Sequence, residues 1–482
     1  MRIHLRRIVL LVSIINTIFV LVYFFKSQTI SLSVDGEQSH PRERVLTVGL
    51  RPQIPVPRDN LRNIGSTLKY IERKSGSCQN EIERPINVED TETWQKVGGK
   101  TNTYVFSAFF DGVNNPVIRI LALTERGSSQ GLFCQLWYND TKEELRVIAP
   151  IKKHIPEDHS KRYAATIYLC NLMTKEIPYA VSLTSARCQR PTNLLPINNQ
   201  MQKEFQFSLC LTPFSIRYSR AYELVEMIEL NRILGVDKFI FYNYSTGVNV
   251  DEVLKHYTSK GIVKVIQWHL PVRVNQWPQN HKEEVHYFGQ LASLNDCLYR
   301  NLYSSEHLVY TDLDEFIVPR NADNYKELIR KLDTRPLSNG AFIFRCVFFR
   351  KEWPQIKGDF KGRKEAEKFK SITLLTTSRE KRIWPTYQRS KYIVKPKGVE
   401  VVGIHNIWSY RSGYSSLPID SSNARLHHYR SWENPNDQQE RQEDFIIHEK
   451  YKDRLIEQLK LTWRKLPNVV LNIPIQNYTF PL

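Results

Sequence analysis

The stretch "HLVYTDLDEFIVPR", His307 to Arg320, decides how this chain is read. Leu308, Val309 and Tyr310 suit a buried strand, yet three carboxylates, Asp312, Asp314 and Glu315, follow before apolar residues resume. If the chain stays extended, alternation puts Asp312 and Asp314 on one side, with Leu313 turned to the core and Glu315 pointing away. At roughly 3.3 Å of rise per residue the two aspartates stand about 7 Å apart. They repel one another unless a divalent cation, or a cation shared with a ribose hydroxyl, lies between them. The plainer reading, acids that solvate a turn or cap a helix, is weighed against by what precedes them.

Working outward, "FQFSLCLTP" (205–213) reads as a strand, and "YSRAYELVEMIELNRILG" (218–235) as a helix with Ala221, Leu224, Val225 and Ile228 on one face, stopped by Gly235. "KFIFYNY" (238–244) is a second strand. "NVDEVLKHYTSKG" (249–261) is a helix capped by Asn249, "IVKVIQWHL" (262–270) a third strand, and "YFGQLASLNDCLYRNLY" (287–303) a helix leading into the motif. This rhythm predicts an α/β fold, an open and mostly parallel sheet with flanking helices, whose ligands bind at the carboxyl ends of the strands. The acidic pair sits at such an end.

The chain has 482 residues, beyond the usual size of one domain, and a formal charge of +18. Such a charge implies an anionic partner, and nucleic acid is the first candidate. The N-terminus argues for another. Arg2, Arg6 and Arg7 precede the uncharged run Ile8–Phe25, which is long enough for a transmembrane helix and, with this charge bias, implies a cytoplasmic N-terminus. A cleaved signal peptide fits less well, because "VYFFKSQ" lacks small residues at a cut site. Residues 1–7 are then a cytoplasmic tail, 8–25 a signal anchor and 26–75 a polar, proline-containing stem.

Seven cysteines without a C-x-x-C pair favour disulfides over structural zinc, with one thiol left over. Asn139, Asn243 and Asn477 open N-x-[ST] tripeptides, compatible with lumenal glycosylation. Between Cys78 and Pro196, runs such as "TYVFSAFF", "VIRILAL" and "LFCQLWY" predict a small β-rich module, taken as 76–200. The α/β unit is taken as 201–435, and 436–482 as a charged helical extension.

Four segments, "LCLTPF", "ELVEMIELNRILGVDKFIFYNYS", "QLASLNDCLYR" and "YTDLDEFIVP", occur in an order that resembles glycosyltransferase family 92. The resemblance implies a Golgi enzyme of the GT-A fold, single-pass type II, with its catalytic domain in the lumen. It implies inverting transfer of galactose from UDP-galactose, with Mn²⁺ or Mg²⁺, to a glycan or glycoprotein acceptor in β linkage, core fucose of N-glycans being one acceptor type. Carried over by position, Asp312 and Asp314 are the D-x-D pair, with Asp314 on the metal and Asp312 on the metal or the ribose.

A third metal ligand is expected from a later strand. His405 in "KYIVKPKGVEVVGIHNIW" is preferred over His427 and His428 in "ARLHHYR". No glycine-rich phosphate loop is present, so the metal and basic side chains must hold the nucleotide; Lys391, Lys395, Arg389 and Arg430 are candidates. Gln290 and Asp296, on the helix before the motif, are expected to reach the nucleotide. Glu352, Asp359 and Glu365 are positioned as acceptor-side carboxylates, Trp384, Trp408 and Trp432 as sugar platforms, and the basic run 357–370 as help for an anionic ligand. Two rivals remain. A haloacid-dehalogenase-type phosphatase expects Thr or Val where Phe316 stands, and a glycan-binding module leaves the convergence of the two aspartates unexplained.

Overall fold

The computed structural model describes residues 78, 82–86, 88–139, 145–275, 282–433 and 439–474. The expected tail, anchor and stem, and the tripeptide at Asn477, lie outside them. Among the described residues no helix is long and apolar enough to cross a membrane.

The predicted strands form the core of a mixed sheet. Val263–Gln267, Lys238–Asn243, Phe205–Leu211 and Ser305–Thr311 run parallel in that spatial order, followed by Lys391–Val394, Asn339–Phe344 and Ser415–Pro418. Lys391–Val394 is antiparallel to both its neighbours. The first strand in sequence, Phe205–Leu211, therefore lies between the second and the fourth, which is a topological switch point. Its apolar run is buried on both faces, as parallel strands require.

The helix Ala221–Leu234 ends at Gly235, whose φ of 107° is a left-handed cap, with its N–H on Arg232 O. This helix is more deeply enclosed than one apolar face would require, since Glu223, Glu226 and Glu229 are buried with it. Each is satisfied: Glu226 accepts from Ser371 and Thr373, and Glu229 from Tyr257 and Thr462. The next helix is Val248–Ser259, so Asn249 lies inside it instead of capping it. The Asn249 amide donates to Ser219 O and Val470 O.

A second sheet holds Glu315–Pro319, Ala424–Arg430, Cys346–Arg350, Ser378–Glu380 and Arg441–Glu443 in that order. Its first strand leaves the motif directly, so the acidic residues sit where the chain passes from one sheet to the other. The C-terminal helix Lys452–Lys465 belongs to the same core. Leu455, Ile456, Leu459 and Trp463 are buried in it, and Thr462 reaches Glu229 of Ala221–Leu234. It is therefore no separate extension.

The β-leaning runs upstream are strands of a nine-stranded sheet that includes Thr103–Asp111, Val117–Glu125 and Tyr163–Asn171. This sheet shares a hydrophobic cluster with the α/β part, where Phe106 and Phe109 pack with Ile240, Trp268 and Tyr299. Buried Asp111 accepts from Arg119 at 2.6 Å and from Arg411 at 2.8 Å, tying module to α/β sheet. Burial opposes its ionisation, but the two guanidiniums outweigh it and hold the carboxyl below its usual range. Disulfides join Cys78–Cys188, Cys134–Cys170 and Cys210–Cys297, leaving Cys346 as a buried thiol.

The helix Tyr325–Leu332 gives a check on local stability. Its cap Asn324 accepts from the Glu327 N–H at 2.9 Å, while Glu327 accepts from the Asp323 N–H. Asn324→Ala is expected to cost about 1 kcal/mol, read as a lowered denaturant midpoint at unchanged slope.

Candidate active site

At the carboxyl ends of the central parallel strands a cavity of about 840 Å³ opens, and Asp312, Leu313 and Asp314 line it. Its other walls come from the loop Thr212–Arg220, from Glu223, Tyr287 and Lys351, from His428 and Arg430–Trp432, and last from Asn472–Pro474. The switch point places Thr212, just past the first strand, beside the motif just past the fourth. The Thr212 hydroxyl donates to Asp312 Oδ1 at 3.1 Å.

The motif itself is a turn and not a continuation of the strand. Strict alternation therefore fails here, and with it the expectation that Glu315 points away from the aspartates. Buried Glu315 lies beneath them, its Oε2 accepting from the Asp312 N–H at 2.9 Å. Lys391, on the neighbouring antiparallel strand, donates to Asp312 Oδ2 at 2.9 Å and lies 3.6 Å from Glu315 Oε2. Burial pushes Glu315 up to about 7 even though Lys391 pulls the other way. Burial would lower the Lys391 ammonium, yet Asp312 and Glu315 hold it well above its usual value. One cation thus serves two carboxylates at 4% side-chain exposure.

His428 completes this arrangement through register. Glu315 pairs with His428 across the second sheet, so the ring lies over both acids. Its Nδ1 is 3.1 Å from Glu315 Oε1, and its Nε2 is 3.5 Å from Asp314 Oδ1. Burial opposes the charge on Asp314, but the hydrogen bond and charge of His428, with Lys351, bring it down to about 2. The Nε2 edge of the ring and Asp314 thus face each other at the cavity wall. His427, one residue away, faces the core and is fully buried.

Other expectations are met differently. His405 does not line the cavity; its Nδ1 is 3.2 Å from Ser390 O, and burial together with the Lys391 charge pushes it down to about 4. Asp296 is enclosed away from the cavity, accepting from Ser107 at 2.5 Å, Tyr242 at 2.7 Å and Arg300 at 2.9 Å. It joins module, sheet and helix and has no room for a nucleotide. Gln290 is buried in the first turn of the helix Gln290–Arg300, also outside the cavity wall. Lys395 pairs with Asp333, and Arg389 and Arg430 share Glu433, while Arg430 also lines the cavity.

Of the three tryptophans only Trp432 lines it; Trp408 donates to Glu157, and Trp384 packs on Phe348. Glu352 accepts from the Trp432 N–H, Glu365 faces Lys460, and neither these, Asp359 nor the run 357–370 reaches the wall. Exposed Asn139 accepts from Arg84, but Asn243 ends a strand with its amide bonded to Thr246, which leaves it poorly placed for glycosylation.

Sequence reading passed over Arg217, Arg220, Glu223 and Lys351. The wall holds four cations, Arg217, Arg220, Lys351 and Arg430. Glu223 is occupied, accepting from Tyr218 at 3.0 Å and Arg220 at 2.7 Å, with Lys351 3.6 Å away. Ile216 and Arg217 have φ of 52° and 48°, and Tyr287 has 35°, so three bulky residues of this wall adopt a strained backbone. Only their placement in space reveals them.

Among the described residues no group of three or more His, Cys, Asp and Glu side chains is gathered to hold a metal. Two protein ligands are enough for a hard cation that takes its other oxygens from phosphates and water. Asp314 and His428 are the two facing side chains here that could supply such a pair.

A Beta-1,4-galactosyltransferase, galt-1, of Caenorhabditis elegans is 27% identical over 233 residues, covering 47% of this chain and 48% of that one. The glycosyltransferase family 92 protein F13G3.3 of the same organism is 24% identical over 216 residues, covering 41% and 42%. The chain thus spans about half the length of the curated relatives it matches. Among solved structures, UDP-bound TarS of S. aureus aligns over 40% of this chain and 47% of that one at 11% identity and a TM-score of 0.21. Glucosyl-3-phosphoglycerate synthase from Mycobacterium tuberculosis, with Mn²⁺ and UDP, aligns over 40% and 58% at 12% identity and 0.20. Both scores lie below what a shared overall fold requires. The family model for glycosyltransferase family 92 matches residues 205–467, from the first strand of the parallel sheet to the end of the C-terminal helix and across every wall of the cavity but its last three residues, and the chain belongs to that family.

Proposed function

We propose that this protein is an inverting, metal-dependent glycosyltransferase of GT-A type that moves galactose from UDP-galactose to a glycan hydroxyl in β linkage, with core fucose of N-glycans as the acceptor type. The observation that carries the reading is Asp314 and His428 converging on a cavity whose wall holds four further cations. Family membership and the galactosyltransferase named among the relatives support the reaction class and the sugar.

Asp314 and His428 would hold Mn²⁺ or Mg²⁺, a cation that acts as a Lewis acid toward the leaving diphosphate. Arg217, Arg220, Lys351 and Arg430 place positive charge where phosphate oxygens are to bind. Lys391 and Thr212 fix Asp312, freeing the outer face of its carboxylate for the ribose or the cation. Glu223 is committed to Arg220 and Tyr218, so its task is to orient the guanidinium and not to take the acceptor's proton. We further propose a single-pass type II protein of the Golgi membrane, anchored by Ile8–Phe25, its catalytic part lumenal, with glycans at Asn139 and Asn477.

The test offers the protein a panel of UDP-sugars with a fucosylated N-glycan. Transfer from UDP-galactose, lost with EDTA and restored by Mn²⁺, is expected; transfer from a different UDP-sugar would replace the donor. His428→Gln should raise the Mn²⁺ concentration for half-maximal rate by about tenfold or more, and His405→Gln should not. The reverse order would move the third ligand back to His405.

A further inference from the structure

A second cavity, of about 620 Å³, lies at the opposite edge of the parallel sheet, where Phe205–Leu211 and Ser305–Thr311 begin. At about 3.3 Å per residue, the length of these strands separates it from the motif by roughly 20 Å. Nothing in the proposed transfer uses it.

Its lining holds five cations, Lys203, Lys326, Arg330, Lys395 and Lys397, against two carboxylates, Glu306 and Asp333. Both carboxylates are already taken, Glu306 by Lys203 at 2.5 Å and Asp333 by Lys395 at 2.6 Å. Lys326, Arg330 and Lys397 have no carboxylate partner among the described residues, and all three are exposed. Lys326 and Arg330 stand one turn apart on the helix Tyr325–Leu332, an i,i+4 like-charge pair that costs stability unless an anion shares it.

The remaining wall is aromatic. Half-buried Tyr303 and Tyr414 line it, and the Lys397 ammonium lies 5.0 Å from the centre of the Tyr303 ring. His307 forms part of the floor, stacked on Phe207 at 5.0 Å; burial pushes it down to about 4, so it is a neutral ring and adds no charge. Cations together with flat aromatic rings, Lys397 lying over Tyr303, suit a ligand with sugar faces and anionic substituents.

We propose that this cavity binds an anionic saccharide, sulfated or uronate-bearing, separately from the transfer site. The commitment to a saccharide rests on the aromatic wall, since inorganic anions need only the cations.

The experiment measures binding of a heparin-derived decasaccharide to the full chain at physiological salt. The wild type is compared with the triple variant Lys326→Glu, Arg330→Glu, Lys397→Glu. A matched control, Lys364→Glu, Lys368→Glu, Arg464→Glu, reverses three exposed charges around a different groove. Affinity should fall tenfold or more in the first triple and less than threefold in the control, with transfer and melting temperature unchanged in both. Tyr414→Ala should weaken the saccharide but not inorganic sulfate, and a non-sulfated uronate oligosaccharide distinguishes carboxylate from sulfate as the recognised group. Equal losses in the two triples would reduce the effect to overall charge and overturn the proposal. Competition by an acidic peptide as strong as by the decasaccharide would overturn it in favour of a protein partner. Failure of the UDP-galactose assay would leave this result untouched, because the readout is binding.

Discussion

Asp314→Ala is expected to lower transfer by about 10²–10³-fold or more, with only a small drop in melting temperature at neutral pH from the lost pairing with His428. The side chain keeps 30% exposure, so its removal opens no cavity in the core, but it leaves His428, at 14% side-chain exposure, without this partner. Its ionisation is nevertheless strongly favoured by His428 and Lys351, which keeps it charged throughout the neutral range. If Asp314 and His428 act as one ligand pair, the double variant should be little worse than either single one, because the second substitution removes a partner already lost. Rates measured with saturating Mn²⁺ for wild type, both single variants and the double variant decide this; full additivity would separate the two residues.

Lys391→Met should damage both stability and activity. The ammonium serves Asp312 and Glu315 together, and removing one partner of a buried ion pair costs about 3–5 kcal/mol. The pH dependence follows from Glu315, whose folded-state value of about 7 already lies above its ordinary range. Without Lys391 that value rises further. Below pH 7 Glu315 is protonated in both folded forms, and the stability gap is that of the lost pair with Asp312. As pH rises through 7 the wild-type carboxylate ionises against Lys391, whereas the variant must keep its proton while the unfolded chain releases it. The gap should therefore widen above pH 7. Melting temperatures at pH 6 and pH 8.5 check this, and a gap that narrows toward pH 8.5 would contradict the assigned network.

The strand and helix order was legible because each parallel strand is a short apolar run between turn residues, and Gly235 marks a helix end in left-handed geometry. The position of Asp312 and Asp314 at a strand's carboxyl end was legible for the same reason. Their local geometry was not, because the motif bends into a turn and Glu315 swings beneath it. The choice between His405 and His428 was also out of reach, since it depends on Glu315 pairing with His428 between strands more than a hundred residues apart in sequence. Asp296 misled for a related reason. Its partners Ser107 and Tyr242 come from two other elements, and a lone acid on a helix carries no sign that three donors will enclose it. The cationic wall is scattered from Arg217 to Arg430, so only folding assembles it.

The cluster in which Phe106 and Phe109 meet Trp268 and Tyr299, locked by Asp296 and Asp111, bears on how this chain can be handled and how it can evolve. A fragment trimmed to residues 205–467 would carry a raw oily flank and a stranded Arg411, and should clump instead of folding. A folded fragment carrying the cavity should therefore need the upstream strands as well.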